Sequence, residues 1–351
     1  MNRVTLCLVG DVQLTSHLND NSEVFKILKD AELVFCNLES PFSNRGYPSN
    51  KLITLRSNPS LIKDLKKINI TITTLANNHI LDYGYEAMFD TINLLDNVGI
   101  KYVGVGSNLH EALKPSVFKL KNLSIGFLGC ACTLPLDFAA NKDKPGVAPI
   151  RVKTCFQIDP VIEQEQPGTP PSIYTEPNDE DLNLMLEYVE KTVNQTDVVV
   201  TGIHWGVPFQ YEVMDYQLII AEKMIRAGVD VIAGHHPHVL HGVGKFGGGK
   251  YVFYSLGNFI FHYKTPSNLK VPKSLNKLQT SPESIIVKVF LSKDGIEDIE
   301  IIPIIINETG NPRSCSKNEA VQIFSILKKL SDDLGTNIVM NMGEDGAIKV
   351  K

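Results

Sequence analysis

Side chains able to bind a metal recur along this 351-residue chain, each just after a short apolar run. Asp11 follows VTLCLVG; Glu39 follows ELVFCNL in NLESP; Asn77, Asn78 and His79 follow INITITTLA in LANNHILDYG; His204 follows TDVVVTGI; His235, His236 and His238 follow VDVIAG in GHHPH. Each has a bland role if taken alone. Aspartate after a strand is a common turn former or helix cap, Asn-Asn is a turn, and a histidine beside Trp205 is often a satisfied core residue. Five strand ends together point elsewhere, because ligands of open α/β sheets bind beyond the carboxyl ends of strands, where loops gather polar groups from distant parts of the chain. His236 and His238 lie two apart and share one face of an extended segment that Pro237 stiffens. Imidazole suits Zn, Mn or Fe, and a carboxylate and an amide oxygen add harder ligands, so Asp11, Glu39, Asn78, His204, His236 and His238 are expected to form a mixed N/O metal site.

The elements that must position them are legible from periodicity. Strands are expected at 4–10, 32–38, 68–76, 101–106, 123–129, 196–203 and 229–234, several apolar on both faces as parallel strands between helix layers must be. Helical spacing recurs at 84–98, where Ala87, Met88, Thr91, Ile92 and Leu95 form a core stripe, and at 179–194, 213–227 and 317–334. Alternating strands and helices indicate an α/β fold. Two hairpins follow residue 238, one turning at Gly247-Gly248-Gly249 and one at Lys293-Asp294-Gly295. The triple glycine has no helix or Lys-Ser/Thr after it and reads as a turn, not a phosphate loop. Residues 157–181, proline-rich and acidic, read as a surface loop or lid; residues 263–282 carry Lys264, Lys270, Lys273 and Lys277 without an acid.

Apolar residues make up 43% and charged residues 21%, the balance of an ordinary globular protein, which excludes disordered and collagen-like classes. A net charge of −5 offers no general attraction to nucleic acid or anionic lipid. The apolar run at the N-terminus is too short for a signal peptide, and no later run suits a membrane helix. The expectation is a cytoplasmic protein with no membrane insertion and no nucleic-acid partner. Cys7, Cys36, Cys130, Cys132, Cys155 and Cys315 contain no CxxC pair and read as reduced residues, mostly within strand-like runs.

The ordered motifs GD, NLE, ANNHxxDxG, HWG, GHHPH and YSLGNF resemble the CapA family of bacterial capsule and poly-γ-glutamate synthesis proteins, over about residues 4–262. That resemblance implies a four-layer α/β/β/α sandwich of the metallophosphoesterase type, with the metal site at the carboxyl ends of strands. The expected organisation is a CapA-like domain of the metallophosphoesterase fold at 1–310 with a C-terminal helical extension, 311–351, packed on it; the resemblance itself stops near residue 262. By the same resemblance two divalent ions (Mn, Fe or Zn) would bind. Asp11 and His238 would serve the first, Asn78, His204 and His236 the second, and Glu39 would bridge. His79 would be the protonated group facing the leaving oxygen, oriented by Asp82. The pattern departs at Gln13, where phosphoesterases carry a histidine two residues after the first aspartate.

Arg56 could hold a substrate carboxylate or phosphate, and Asn258 could face the site from the hairpin end. His235 and His241 could donate to the ligands, and Glu212 lies near His204 in sequence. The functional expectation is a metal-dependent hydrolase acting on or handling an anionic polymer, or a phosphoester or amide substrate, in capsule or poly-γ-glutamate metabolism. The alternative is a non-catalytic accessory or binding subunit working with polymer synthesis proteins.

Overall fold

The computed structural model describes residues 3–263, 281–340 and, as backbone, 348–350. Two sheets face each other and helices cover both outer faces. The larger sheet has ten strands among the described residues. Eight run in the order Ile338–Met340, Ile348–Val350, Gly295–Ile306, Glu283–Ser292, Val4–Gln13, Leu33–Leu38, Ile72–Thr74 and Lys101–Val103. Asn258–Phe261 joins the Val4–Gln13 strand in parallel, and Pro312–Ser314 pairs with Gly295–Ile306. The second sheet runs Val243–Phe246, Lys250–Phe253, Val231–His235, Val198–His204, Leu123–Ala131 and Ser116–Leu120, with its central strands parallel.

Three apolar layers make this a four-layer α/β/β/α sandwich. Between the sheets, Leu6, Leu8, Phe35 and Ile72 meet Ile125, Phe127, Val200 and Phe253. Outside the larger sheet, Cys7, Val9, Val34 and Cys36 pack with Phe25, Leu28, Leu65, Met88 and Leu95. Outside the second sheet, Leu128, Val199, Ile203 and Ile232 pack with Met185, Val189, Ile220 and Met224. Strands such as Val198–His204 are buried along their whole length, as their continuous apolar runs require.

The expected helices form at Gly84–Val98, Asp179–Val193, Asp215–Ala227 and Lys317–Asp332. Their ends follow local chemistry. Gly99 and Gly228 take left-handed backbone at two C-termini, Asn178 caps an N-terminus, and Ser316 with Glu319 forms a reciprocal capping box. Ile323 and Leu327 carry the last helix into the inter-sheet layer. Both expected hairpins are present, Val243–Phe246 with Lys250–Phe253 and Glu283–Ser292 with Gly295–Ile306. All six cysteines are free thiols, and among the described residues no helix is long and apolar enough to cross a membrane.

Three expectations need correction. The first strand runs on to Gln13, so Asp11 lies within it at an irregularity in pairing rather than after it. The run 68–76 contributes only Ile72–Thr74, because Ile68 caps the preceding helix and Asn69 turns the chain with φ 68°. Residues 157–181 are not a plain loop: Val152–Gln157 pairs with Ser172–Pro177, and the helix Pro160–Glu165, capped by Asp159, sits between them. The lysines from 264 to 277 lie outside the described residues.

One close approach brings distant parts of the chain together at the site. Asp11 N–H donates to the Gly257 carbonyl at 3.0 Å, and a Cβ on Gly10 would stand 2.0 Å from that same oxygen. Gly10 is therefore required at this point, and Gly257 itself has φ 71°. Gly10→Val is expected to destabilise the protein by about 2 kcal/mol or more through overpacking, read as a lower urea midpoint with an unchanged slope; a midpoint equal to wild type would contradict the close approach.

Candidate metal centre

The two sheets present their carboxyl ends side by side, and the candidate ligands converge there. In the larger sheet Asp11 is in register with Asn37 on one neighbour and Asn258 on the other; in the second sheet His204 is in register with His235. Glu39 lies one residue beyond its strand, its N–H donated to the Val12 carbonyl at 2.9 Å. His236 and His238 both adopt positive φ, 97° and 56°, around Pro237. Such backbone is costly for a non-glycine residue and turns both imidazoles inward.

The donor atoms are spaced as metal ligands are. Asn78 Oδ1, His236 Nδ1 and Glu39 Oε1 lie 2.9, 3.0 and 3.7 Å from His204 Nε2. His238 Nε2 lies 3.6 Å from Glu39 Oε1, and its Nδ1 lies 2.8 Å from Asn258 Oδ1 and 3.5 Å from Asp11 Oδ2. Ligands about 2.1 Å from a common ion stand roughly 3–3.5 Å apart. Glu39, His236 and His238 each offer an atom within 4.8 Å of the others. With Asn258 accepting from Nδ1–H, His238 keeps its Nε2 lone pair directed at Glu39, the arrangement by which a supporting group selects the ligating tautomer.

Burial sets the charge states. Glu39 is completely inaccessible, and neither carboxylate oxygen has a hydrogen-bond partner. That burial, with the Asp11 charge adding to it, drives its carboxyl well above the usual value. Burial would raise Asp11 too, but His235, His238 and the amide of Asn37, 2.8 Å away, hold it below the ordinary range. Burial and the neighbouring histidines push His204 well below its usual value, and burial with His238 takes His236 down to about 3. Both rings are thus neutral near pH 7, the form that ligates. An unpartnered buried carboxylate among neutral imidazoles and an amide oxygen is a donor set that fits a divalent cation.

His79 and Asp82 sit beside this cluster. His79 Nδ1 is 2.5 Å from Asp82 Oδ2, and burial holds the ring below its ordinary value against the pull of Asp82. The Leu55 N–H donates to Asp82 Oδ2 at 2.7 Å. Lys51, which no motif or periodicity singles out, reaches Asp82 Oδ1 at 2.5 Å, lies 3.3 Å from His79 Nδ1 and donates to the Asn78 carbonyl. Its backbone lies in a loop strapped to the same turn by Ser49 N–H on the Asp82 carbonyl.

Arg56 is exposed, its guanidinium 4.1 Å from the Tyr83 ring centre, and is not among the residues lining the cleft at the site. Asn258 does line that cleft. His235 is buried 3.3 Å from Asp11 Oδ1, His241 donates to the Gln210 carbonyl, and Glu212 is exposed. Gln13 is buried with its Oε1 unpaired. Asn37, part of the NLE motif but given no role by it, is a further polar residue of the site, and Asn77, noted at its strand end, supports it: Asn77 donates to Asn37 Oδ1 at 3.0 Å and accepts from the His79 and Ile80 N–H groups. Alternation offered a signal for Asn37, which is two residues before Glu39.

Residues 5–263 match the family described as bacterial capsule synthesis protein PGA_cap, and the chain belongs to that family. It is 29% identical over 338 residues to the PGA biosynthesis protein CapA of Bacillus subtilis (strain 168), covering 93% of this chain and 77% of that one. It is 26% identical over 361 residues to the capsule biosynthesis protein CapA of Bacillus anthracis, covering 98% and 76%. A third relative, from Mycobacterium tuberculosis (strain CDC 1551 / Oshkosh) and described as "Probable polyglutamine synthesis accessory protein", is 24% identical over 254 residues, covering 69% and 59%.

Two substitutions test the geometry. Glu39→Gln removes a carboxyl group that burial disfavours in its charged form and that has no hydrogen-bond partner in the metal-free protein, so it should raise metal-free stability while abolishing any thermal shift on adding Mn²⁺; a Gln variant less stable than wild type without metal would contradict this. Lys51→Met takes the ammonium from Asp82 Oδ1 and leaves the buried carboxylate only the Leu55 N–H and His79, and about 2 kcal/mol should be lost, at the low side because Lys51 keeps some contact with water. Urea unfolding measures it, with Lys51→Arg expected to recover part of the loss.

Proposed function

We propose that this protein is a metal-dependent hydrolase acting on an amide or phosphoester bond of an anionic substrate in capsule or poly-γ-glutamate metabolism. The observation that carries this reading is the sealed Glu39 carboxylate, both oxygens unpartnered, facing the imidazoles of His204 and His238. Asn78, His204 and His236 would hold one ion and Asp11 and His238 another, with Glu39 between. Divalent ions so bound would supply an activated water and a clamp for the attacking and leaving oxygens.

The chain's own groups supply the rest. His79 lines the cleft, and with Nδ1 committed to Asp82 its Nε2 is left to exchange a proton with the leaving atom. Asp82 fixes that ring, and Lys51 with the Leu55 N–H fixes Asp82. Gln13 replaces an imidazole with a weaker amide ligand, which makes the Asp11 side the more exchangeable half. The description of the Mycobacterium relative favours a second reading, an accessory subunit that handles the polymer without cleaving it.

Elemental analysis of protein purified without chelators should find one to two ions of Mn, Fe or Zn per chain. Assayed with Mn²⁺ against phosphodiester, phosphomonoester and γ-glutamyl substrates, it should turn over one class, and His79→Ala should lower that rate at least 100-fold with metal retained. Metal-free protein that takes up no ion would end the hydrolase reading; metal without turnover, together with co-purification of a polymer synthetase, would favour the accessory one.

A further inference from the structure

A cleft of about 500 Å³ opens directly onto His79, His238 and Asn258. Beyond those three groups its walls are mainly apolar: Phe209, Phe261, Ile53, Leu55 and Ile306 line it. Phe209 is half-buried and held in left-handed backbone, φ 62°, by its N–H on the Pro237 carbonyl at 2.7 Å. Its ring stacks on His238 at 5.6 Å between centres and 29° between planes, and Phe261 approaches the same imidazole at 4.8 Å. A strained aromatic residue fixed against a candidate ligand is a feature of binding sites rather than of surface loops. Among the described lining residues none is Lys or Arg, and the one carboxylate is the exposed Glu308. The nearby ammonium of Lys51 is engaged by Asp82 and the Asn78 carbonyl.

These walls suit a group unlike the repeat of a polyanion. We propose that the cleft is a subsite for an uncharged apolar or aromatic group attached next to the oxyanion that the metal-ligand cluster takes, with Phe209 as its selecting wall. The inference rests on the metal reading above and names the part of the substrate beyond the reacting group. Space is sufficient, since a cavity of about 150 Å³ already admits benzene. Among the described lining residues, a second negative charge would meet apolar walls and Glu308, with no cation to offset its desolvation.

The test compares phenylphosphonate, methylphosphonate and γ-linked triglutamate as ligands of the Mn²⁺-loaded full chain by calorimetry. Phenylphosphonate is expected to bind roughly tenfold or more tightly than methylphosphonate, from burial of the ring, and triglutamate more weakly than phenylphosphonate. In Phe209→Asn, whose side chain tolerates the left-handed backbone, the phenyl-to-methyl ratio should fall to near one. The ratio is the readout because any disturbance of His238 acts on both phosphonates alike. Equal affinities in wild type, a ratio that survives Phe209→Asn, or tighter binding of triglutamate would overturn the subsite. If neither phosphonate binds, the metal-oxyanion reading fails on its own. The subsite is then decided by benzyl alcohol in ligand-observed NMR, expected to bind wild type and not Phe209→Asn, with no binding to wild type overturning it.

Discussion

A carboxylate taken completely out of water with no hydrogen bond to either oxygen carries a desolvation penalty that the fold must offset elsewhere. Glu39 is in that position, and much of the architecture can be understood as what surrounds it. Two sheets packed face to face bring His204 from one side and Asp11 from the other, and the strained His236-Pro237-His238 turn closes over them. No single element could do this. The inter-sheet apolar layer holds the two sheets in register, so packing far from the site sets donor spacings within it.

Behind the cluster, polar groups are tied to one another rather than to solvent. Asn77 bonds to Asn37, which bonds to Asp11; Lys51 bonds to Asp82, which meets His79. Each side chain has little freedom left, and that is how a site is organised before its ligand arrives. The polar chain on one side and the Phe209 and Phe261 rings on the other leave His238 gripped from several directions.

Much of this was legible in the sequence because strand ends announce themselves. A β-branched run followed by a lone polar residue is a local pattern, and local patterns gave the helices, both hairpins and the residues now seen to gather around Glu39. What was not legible depends on three-dimensional neighbours. Lys51 lies in a loop without periodicity, and nothing in NKLIT indicates that its ammonium reaches a turn near residue 80. Arg56 offered suitable chemistry, yet it stacks on Tyr83 in the open. The acidic, proline-rich stretch after residue 157 read as a loop because composition dominates such readings, whereas a six-residue pairing across Val152–Gln157 and Ser172–Pro177 organises it. The short third strand shows the reverse error, an apolar run that a left-handed Asn69 cuts down.

The contact between Gly10 and Gly257 has a consequence for how the chain comes into being. These residues come from distant parts of the chain, and their backbones touch. During synthesis the ribosome delivers the Asp11 strand first, and its neighbour beside Asn258 arrives only after the intervening strands and helices have been made. Closing so long a loop makes this a late event on the way to the native state. Nascent chains therefore carry their acid and imidazole ligands unassembled until the segment bearing His236, His238 and Asn258 has been made.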